Sequence, residues 1–179
     1  MVYVLLGTGF EEVEAIAPVD LLRRAGICVL TVGVDGKSVT GGHGITVEAD
    51  ITLDQMDLTD LEMIVLPGGL GGVATARSSQ AALDALRFAY ENDKYVAAIC
   101  AGPTVLAELG IIGSRRATCY PGCESSMGDA AVVEAACVTA EKLITGASAG
   151  CAIPFALALI EALKGKETAQ QIEKQIVIR

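Results

Sequence analysis

Tyr95-Val-Ala-Ala-Ile-Cys100-Ala-Gly-Pro103 is an uncharged, largely apolar run that ends in small residues and a proline. Its first five residues offer no face to water, so the segment reads as a strand buried on both sides. Pro103 suits a first helical position, where its missing N–H would have no partner anyway. A strand passing directly into a helix is half of a βαβ unit, and the rest of the chain repeats the theme. Upstream, Val2–Leu6 is apolar throughout and ends at Gly7-Thr8-Gly9. From Glu12 to Ala25, residues Val13, Ile16, Ala17, Leu21 and Leu22 fall at helical spacing, and Gly26 stops the helix. Ile27–Gly33 and Glu62–Leu66 read as strands, closed by Asp35-Gly36 and by Pro67-Gly68-Gly69. Further helices are expected at Gln80–Tyr90, Pro103–Leu109, Cys151–Leu163 and Thr168–Lys174. Weaker strands are expected at Ala117–Tyr120, Ala130–Val133, Val138–Thr139 and Leu143–Thr145. The alternation predicts one α/β domain over residues 1–179, a three-layer sandwich with helices on both faces of a mainly parallel sheet. Ligands of such sheets bind beyond the carboxyl ends of the strands. Chemistry is therefore expected at Gly7–Glu14, Pro67–Gly72 and Cys100–Pro103.

The charge balance is 13 basic against 22 acidic side chains, a net −9. That argues against nucleic acid and anionic membranes as partners, since both select clustered Lys and Arg. The longest uncharged run, Leu143 to Ile160, is broken by glycines, Ser148 and Pro154, so no membrane span is expected. The amino terminus shows no basic region ahead of an apolar stretch, so a cytoplasmic location is expected. In a reducing compartment the six cysteines read mostly as small buried apolar residues, Cys28 and Cys137 among them. Cys119 and Cys123 have a metal-like spacing but no second pair, so no metal site is expected. No phosphate-binding loop of the Gly-x-x-x-x-Gly-Lys type appears, and no cofactor is expected.

Four features carry candidate chemistry. A side chain on a sharp strand-to-helix turn is pushed out of the sheet, and Cys100 stands on such a turn, with Ala101 and Gly102 small enough to permit it. The helix start behind it favours an anion, which predicts a lowered thiol pKa; the alternative is a plain buried cysteine at a strand end. Glu11, Glu12 and Glu14 open the first helix, where carboxylates commonly complement the dipole. Glu14, however, falls near the apolar side of that helix, where it would share a proton with Cys100 if the two meet. Gly68 and Gly69 end a strand and allow backbone N–H groups to approach a ligand, as in an oxyanion hole; an ordinary glycine turn reads the same way. His43, the only histidine, lies in Thr40-Gly-Gly-His-Gly44, and no catalytic triad can be assembled around it.

Glu11-Glu-Val-Glu14, Arg23-Arg-Ala-Gly26, Val65-Leu-Pro-Gly-Gly69, Ala97-Ala-Ile-Cys-Ala-Gly-Pro103 and Phe155-Ala-Leu-Ala-Leu-Ile-Glu-Ala-Leu-Lys-Gly-Lys166 together resemble the ThiJ/PfpI superfamily. The resemblance is to its DJ-1-like branch, covers essentially the whole chain and keeps motif order. It implies a flavodoxin-like fold, a homodimer formed near Glu11–Arg24, and Cys100 as an oxidation-sensitive nucleophile. By the same resemblance Glu14 is its protonated partner, and the Gly69 and Ala101 amides bind the anion. The implied activity is that of a cofactor-free glyoxalase or deglycase acting on small 2-oxoaldehydes such as methylglyoxal, or on their glycation adducts. The alternative is a redox-sensing or chaperone-like stress protein whose Cys100 is oxidised to sulfinate. The chain departs from the pattern in three places. Tyr120 stands before Pro121 where many relatives carry histidine, and a phenol cannot replace an imidazole base. His43 falls where arginine is common. Ala101 follows the nucleophile where the peptidase branch has histidine, which counts against proteolysis.

Overall fold

The computed structural model describes residues 1–178. The strands are β1 (Val2–Leu6), β2 (Val29–Gly33), β3 (Ser38–Thr40), β4 (Thr46–Glu48), β5 (Ile51–Thr52), β6 (Met63–Leu66), β7 (Tyr95–Ile99), β8 (Arg116–Ala117), β9 (Ala131–Val132), β10 (Cys137–Ala140) and β11 (Leu143–Gly146). The helices are α1 (Glu12–Arg24), α2 (Leu70–Ser78), α3 (Gln80–Glu91), α4 (Gly102–Glu108), α5 (Ala152–Lys164) and α6 (Lys166–Gln175). Seven strands form one sheet in the order β10-β11-β7-β6-β1-β2-β5. Every pairing in it is parallel except β10 with β11. β3 and β4 form a separate hairpin, and β8 and β9 a short parallel ladder.

The period-two alternation of a strand sends successive side chains to opposite faces, and here both faces are dry. Val2, Val4, Leu6, Val65 and Ile99 pack with Ala15 and Leu22 of α1 and Phe155 and Leu159 of α5. Tyr3, Leu5, Ile64, Leu66 and Ala98 pack on the other side with Val73, Ala76, Leu86 and Leu106 of α2, α3 and α4. Full burial of side chains such as Leu22 or Phe155 contributes roughly 1.5–3 kcal/mol each, which explains why a continuous apolar strand can stand in the middle of the sheet.

The chain runs from β1 outward to β2, then returns to β6 on the other side of β1. In open α/β sheets the switch point at such a reversal is where ligands bind. The segments entering it follow β1, β6 and β7: Gly7–Glu11, Pro67–Gly69 and Cys100. α1 runs unbroken through Pro18. α2, the β3–β4 hairpin and β5 have no counterpart in the sequence expectation. α2 begins Leu-Gly-Gly, a poor helix opening, and is held by burial of Val73 and Ala76. The β3–β4 hairpin places short β-branched segments on either side of the Gly41–Gly44 turn, where no strand is expected. Cys28, expected to be buried, is exposed, while Cys119 is buried and Cys137 half-buried.

Candidate active site

Cys100 takes φ +65, a left-handed conformation that an L-residue with a Cβ adopts at a cost of about 1–3 kcal/mol. Both of its backbone polar groups are fixed from outside. Its N–H donates to the Gly146 carbonyl at 2.9 Å, and its carbonyl accepts the Tyr120 N–H at 2.8 Å. α4 then starts within two residues, with Pro103 in its first turn. The elbow expected from the sequence is therefore present, and it throws the sulfur out of the sheet.

Glu14 is the third residue of α1 and is fully buried. Its Oε2 accepts the Gly68 N–H at 3.0 Å. Its Oε1 is buried without a nitrogen or oxygen partner among the described residues, and the carboxyl meets the Cys100 thiol. The close approach depends on glycine. A Cβ at Gly68 would lie 2.4 Å from Glu14 Oε2 and 2.6 Å from Cys100 Cβ. Gly69, the residue that precedes α2, has φ +87, and a Cβ there would strike the Glu11 nitrogen at 2.5 Å. The backbone N–H groups of Ala101 and Gly69 lie near the Cys100 sulfur and favour its charged form. Each stands where a helix begins, Ala101 at α4 and Gly69 at α2.

Burial pushes the Glu14 carboxyl up to about 7, with a smaller upward push from the charge of Glu11; hydrogen bonds from Cys100 and Gly68 restrain it. Burial, followed by the charge and hydrogen bond of Glu14, pushes the Cys100 thiol up to about 12 against the pull of the Ala101 and Gly69 amides. The helix-start argument, which predicts a lowered thiol pKa, is thereby corrected: desolvation and a like charge outweigh two amides. Taken as a unit, the pair gives up one proton near neutrality and holds the second tenaciously.

Cys100, Glu14, Gly68, Gly69 and Ala101 converge as the sequence suggests. His43 and Tyr120 do not join them directly. His43 is 70% exposed on the loop between β3 and β4, its Nδ1 3.0 Å from Glu12 Oε2 and 3.5 Å from Glu11 Oε1. Tyr120 touches the site through its backbone, and its ring is half exposed. Glu12, expected to be a solvated residue at the helix start, is instead buried. Its Oε1 accepts the N–H groups of His43 at 2.8 Å and Ile45 at 3.3 Å, which ties the β3–β4 loop to α1. Burial works against its charge, yet its own N–H, the His43 ring and these two amides hold it below the usual carboxylate range. Nothing in the sequence pairs Glu12 with a loop thirty residues away. Glu11, Glu12 and His43 bring three donor atoms within 4.8 Å of one another, the one such grouping among the described residues able to hold a metal ion.

A buried carboxyl, a thiol on an elbow and two neighbouring amides thus meet beyond the carboxyl ends of β1, β6 and β7. The same arrangement of strands and helices occurs in Drosophila melanogaster DJ-1beta, with TM-score 0.95 and 35% identity over 99% of this chain and 97% of that one. Oxidised Toxoplasma gondii DJ-1 aligns with TM-score 0.94 and 33% identity over 98% and 97% of the two chains. In sequence, the chain is 36% identical to Protein dj-1beta of Drosophila melanogaster over 178 residues, 98% of this chain and 95% of that one. It is 34% identical to a deglycase of Pyrococcus horikoshii over 128 residues, 72% of this chain and 76% of that one. Residues 1–162 match the DJ-1/PfpI family, and the chain belongs to that family.

Proposed function

We propose that the protein is a cofactor-free enzyme of the glyoxalase or deglycase type, acting on small 2-oxoaldehydes. The observation that carries this reading is the contact between the elbow thiol of Cys100 and the fully buried carboxyl of Glu14, with two amides on the same sulfur. When the pair has lost one proton, the form with the charge on sulfur and the proton on Glu14 is a nucleophile beside an acid. The thiolate adds to the aldehyde carbon of methylglyoxal. A C–S bond forms, the carbonyl π pair moves to oxygen, and Glu14 protonates the resulting hemithioacetal. The emptied Glu14 carboxylate then takes the proton from C1 and returns it to C2, while the C1 hydroxyl proton passes to the C2 oxygen. This converts the hemithioacetal into a lactyl thioester, while the Gly69 and Ala101 amides hold the developing oxyanion. Water hydrolyses the thioester to lactate and regenerates the thiol. The deglycase relative in Pyrococcus horikoshii supports this reading over a purely structural one.

A second reading rests on the same sulfur and is favoured by the oxidised state of the Toxoplasma gondii neighbour. A peroxide oxygen inserts at the thiolate with release of water, and a second peroxide gives the sulfinate, whose oxygen accepts a hydrogen bond from the protonated Glu14. In either role a second copy is expected against α1, where Val13 and Ile16 are exposed. The deciding experiment follows lactate formation from methylglyoxal by NMR. The wild-type protein is expected to turn over many equivalents, and Cys100→Ser none. Equal lactate formation by the two proteins would refute the enzymatic reading.

A further inference from the structure

The two amides that favour charge on the Cys100 sulfur stand at the heads of different helices, so something must fix the distance between them. Gly69 stands at the head of α2 and Ala101 at the head of α4. The Ala101 carbonyl accepts both the Thr104 hydroxyl at 2.7 Å and the Thr104 N–H at 3.1 Å. The Thr104 oxygen in turn accepts Arg77 Nη2 at 3.1 Å, and Arg77 is in the last turn of α2. Arg77 is itself aimed by a two-pronged pair with Glu108 of α4, Nε to Oε2 and Nη2 to Oε1, both at 2.8 Å. One planar fork thus binds the far end of α2 to two points on α4, and one of those points holds the peptide group before Gly102. A two-pronged guanidinium–carboxylate pair fixes orientation as well as distance, which a single ammonium does not.

We infer that Arg77 is a positioning residue for the Cys100 anion: through Thr104 and Glu108 it locks α2 to α4 and so sets the gap between the Gly69 and Ala101 amides. This rests on the reading of Cys100 as the nucleophile. The amides stabilise negative charge on sulfur, whereas Glu14 competes to carry that charge on oxygen. Loosening the clamp therefore shifts the anion of the singly deprotonated pair from sulfur toward oxygen. The pH at which the pair first ionises stays set by Glu14, but the fraction present as thiolate falls.

The test is the rate of iodoacetamide labelling at Cys100, read by peptide mass spectrometry from pH 5 to 9, beside a thermal melt of each protein. Arg77→Met removes fork and charge, Arg77→Lys keeps the charge, and Thr104→Val removes the hydroxyl with little change of shape. All three are expected to keep the step near neutral pH and to lower the plateau above it by roughly 3- to 10-fold, since a tenfold change corresponds to one pKa unit. Arg87→Met, which breaks the exposed Arg87–Asp84 pair on α3, is expected to leave the profile unchanged. An unchanged plateau in Arg77→Met and Thr104→Val, whatever the melting temperature, overturns the inference. So does a plateau lowered in Arg77→Met but fully wild-type in Arg77→Lys, because charge and not the clamp would then be acting. If the wild-type protein itself fails to label at Cys100, the proposed function falls rather than the clamp.

Discussion

Glu14 fails the ordinary rule for carboxylates, since it is fully buried and its Oε1 has no nitrogen or oxygen partner among the described residues. Its carboxyl binds protons more tightly in the folded chain, up to about 7 against an ordinary value of 4.5. Between those two values the native state holds more protons than the unfolded one, so this residue lowers stability as pH rises through the window. Glu14→Gln is therefore expected to be more stable than wild type at pH 8, by roughly 1–3 kcal/mol, with the difference vanishing toward pH 4.5. Urea unfolding at both pH values checks this. The same substitution removes a proton carrier, so methylglyoxal turnover should fall by roughly 10²-fold or more, the usual contribution of a general acid–base group. Glu11→Gln is expected to leave turnover nearly unchanged. Gly68→Ala brings a methyl group against both Glu14 and Cys100. It should cost about 1–3 kcal/mol through overpacking and abolish turnover while a folded protein still melts cooperatively. Normal turnover in Gly68→Ala would mean that the carboxyl–thiol contact is dispensable.

The elements that position the site were legible to different degrees. β1, β6 and β7 are nearly continuous apolar runs bounded by glycine or proline, and the strand-to-helix turn at Cys100 follows from its small neighbours and Pro103. α1 was readable to within a residue because its apolar positions repeat at helical spacing. α2 was not, because Gly71 and Gly72 argue for a loop. They are present because the helix lies against the Gly9–Phe10 backbone, where a Cβ at Gly72 would approach Phe10 Cα to 2.6 Å. Missing α2 also hid the Arg77–Thr104–Glu108 connection, which joins residues up to 31 apart. The raised thiol pKa was hidden for a related reason: helix polarity is visible in a sequence, whereas desolvation depends on what the fold stacks above the sulfur. The β3–β4 hairpin is held by Glu12, so Glu12→Gln is expected to loosen residues 41–45. Because the folded Glu12 carboxyl lies below its ordinary range, its contribution is present above the unfolded value near 4.5 and is lost as pH falls through the lower folded value. Hydrogen exchange at the His43 and Ile45 amides, faster in Glu12→Gln than in wild type at pH 7, measures that loss.

For the whole molecule, a net charge of −9 and helices on both sheet faces leave few large apolar groups outside the core. Val13 and Ile16 stand out because they are exposed one turn apart on α1, at 52% and 40%. A second copy seated on this turn of α1 would cover both side chains. Light scattering is expected to return a dimer at micromolar concentration and a monomer for the double variant Val13→Glu/Ile16→Glu. No helix among the described residues is long and apolar enough to cross a membrane. The sheet, its strand reversal and the two helix starts bring Cys100 and Glu14 together, and the central claim is that the two share a single proton near neutral pH. The direct measurement is the pH profile of iodoacetamide labelling at Cys100 in wild type and in Glu14→Gln. Peptide mapping separates Cys100 from the exposed Cys28. Wild type is expected to gain reactivity through a step near pH 7, where the pair loses its first proton. Glu14→Gln should lose that step and react in a single rise at higher pH, set by the thiol alone. Superimposable profiles for the two proteins would contradict the shared proton and, with it, the assignment of Glu14 as the acid beside the nucleophile.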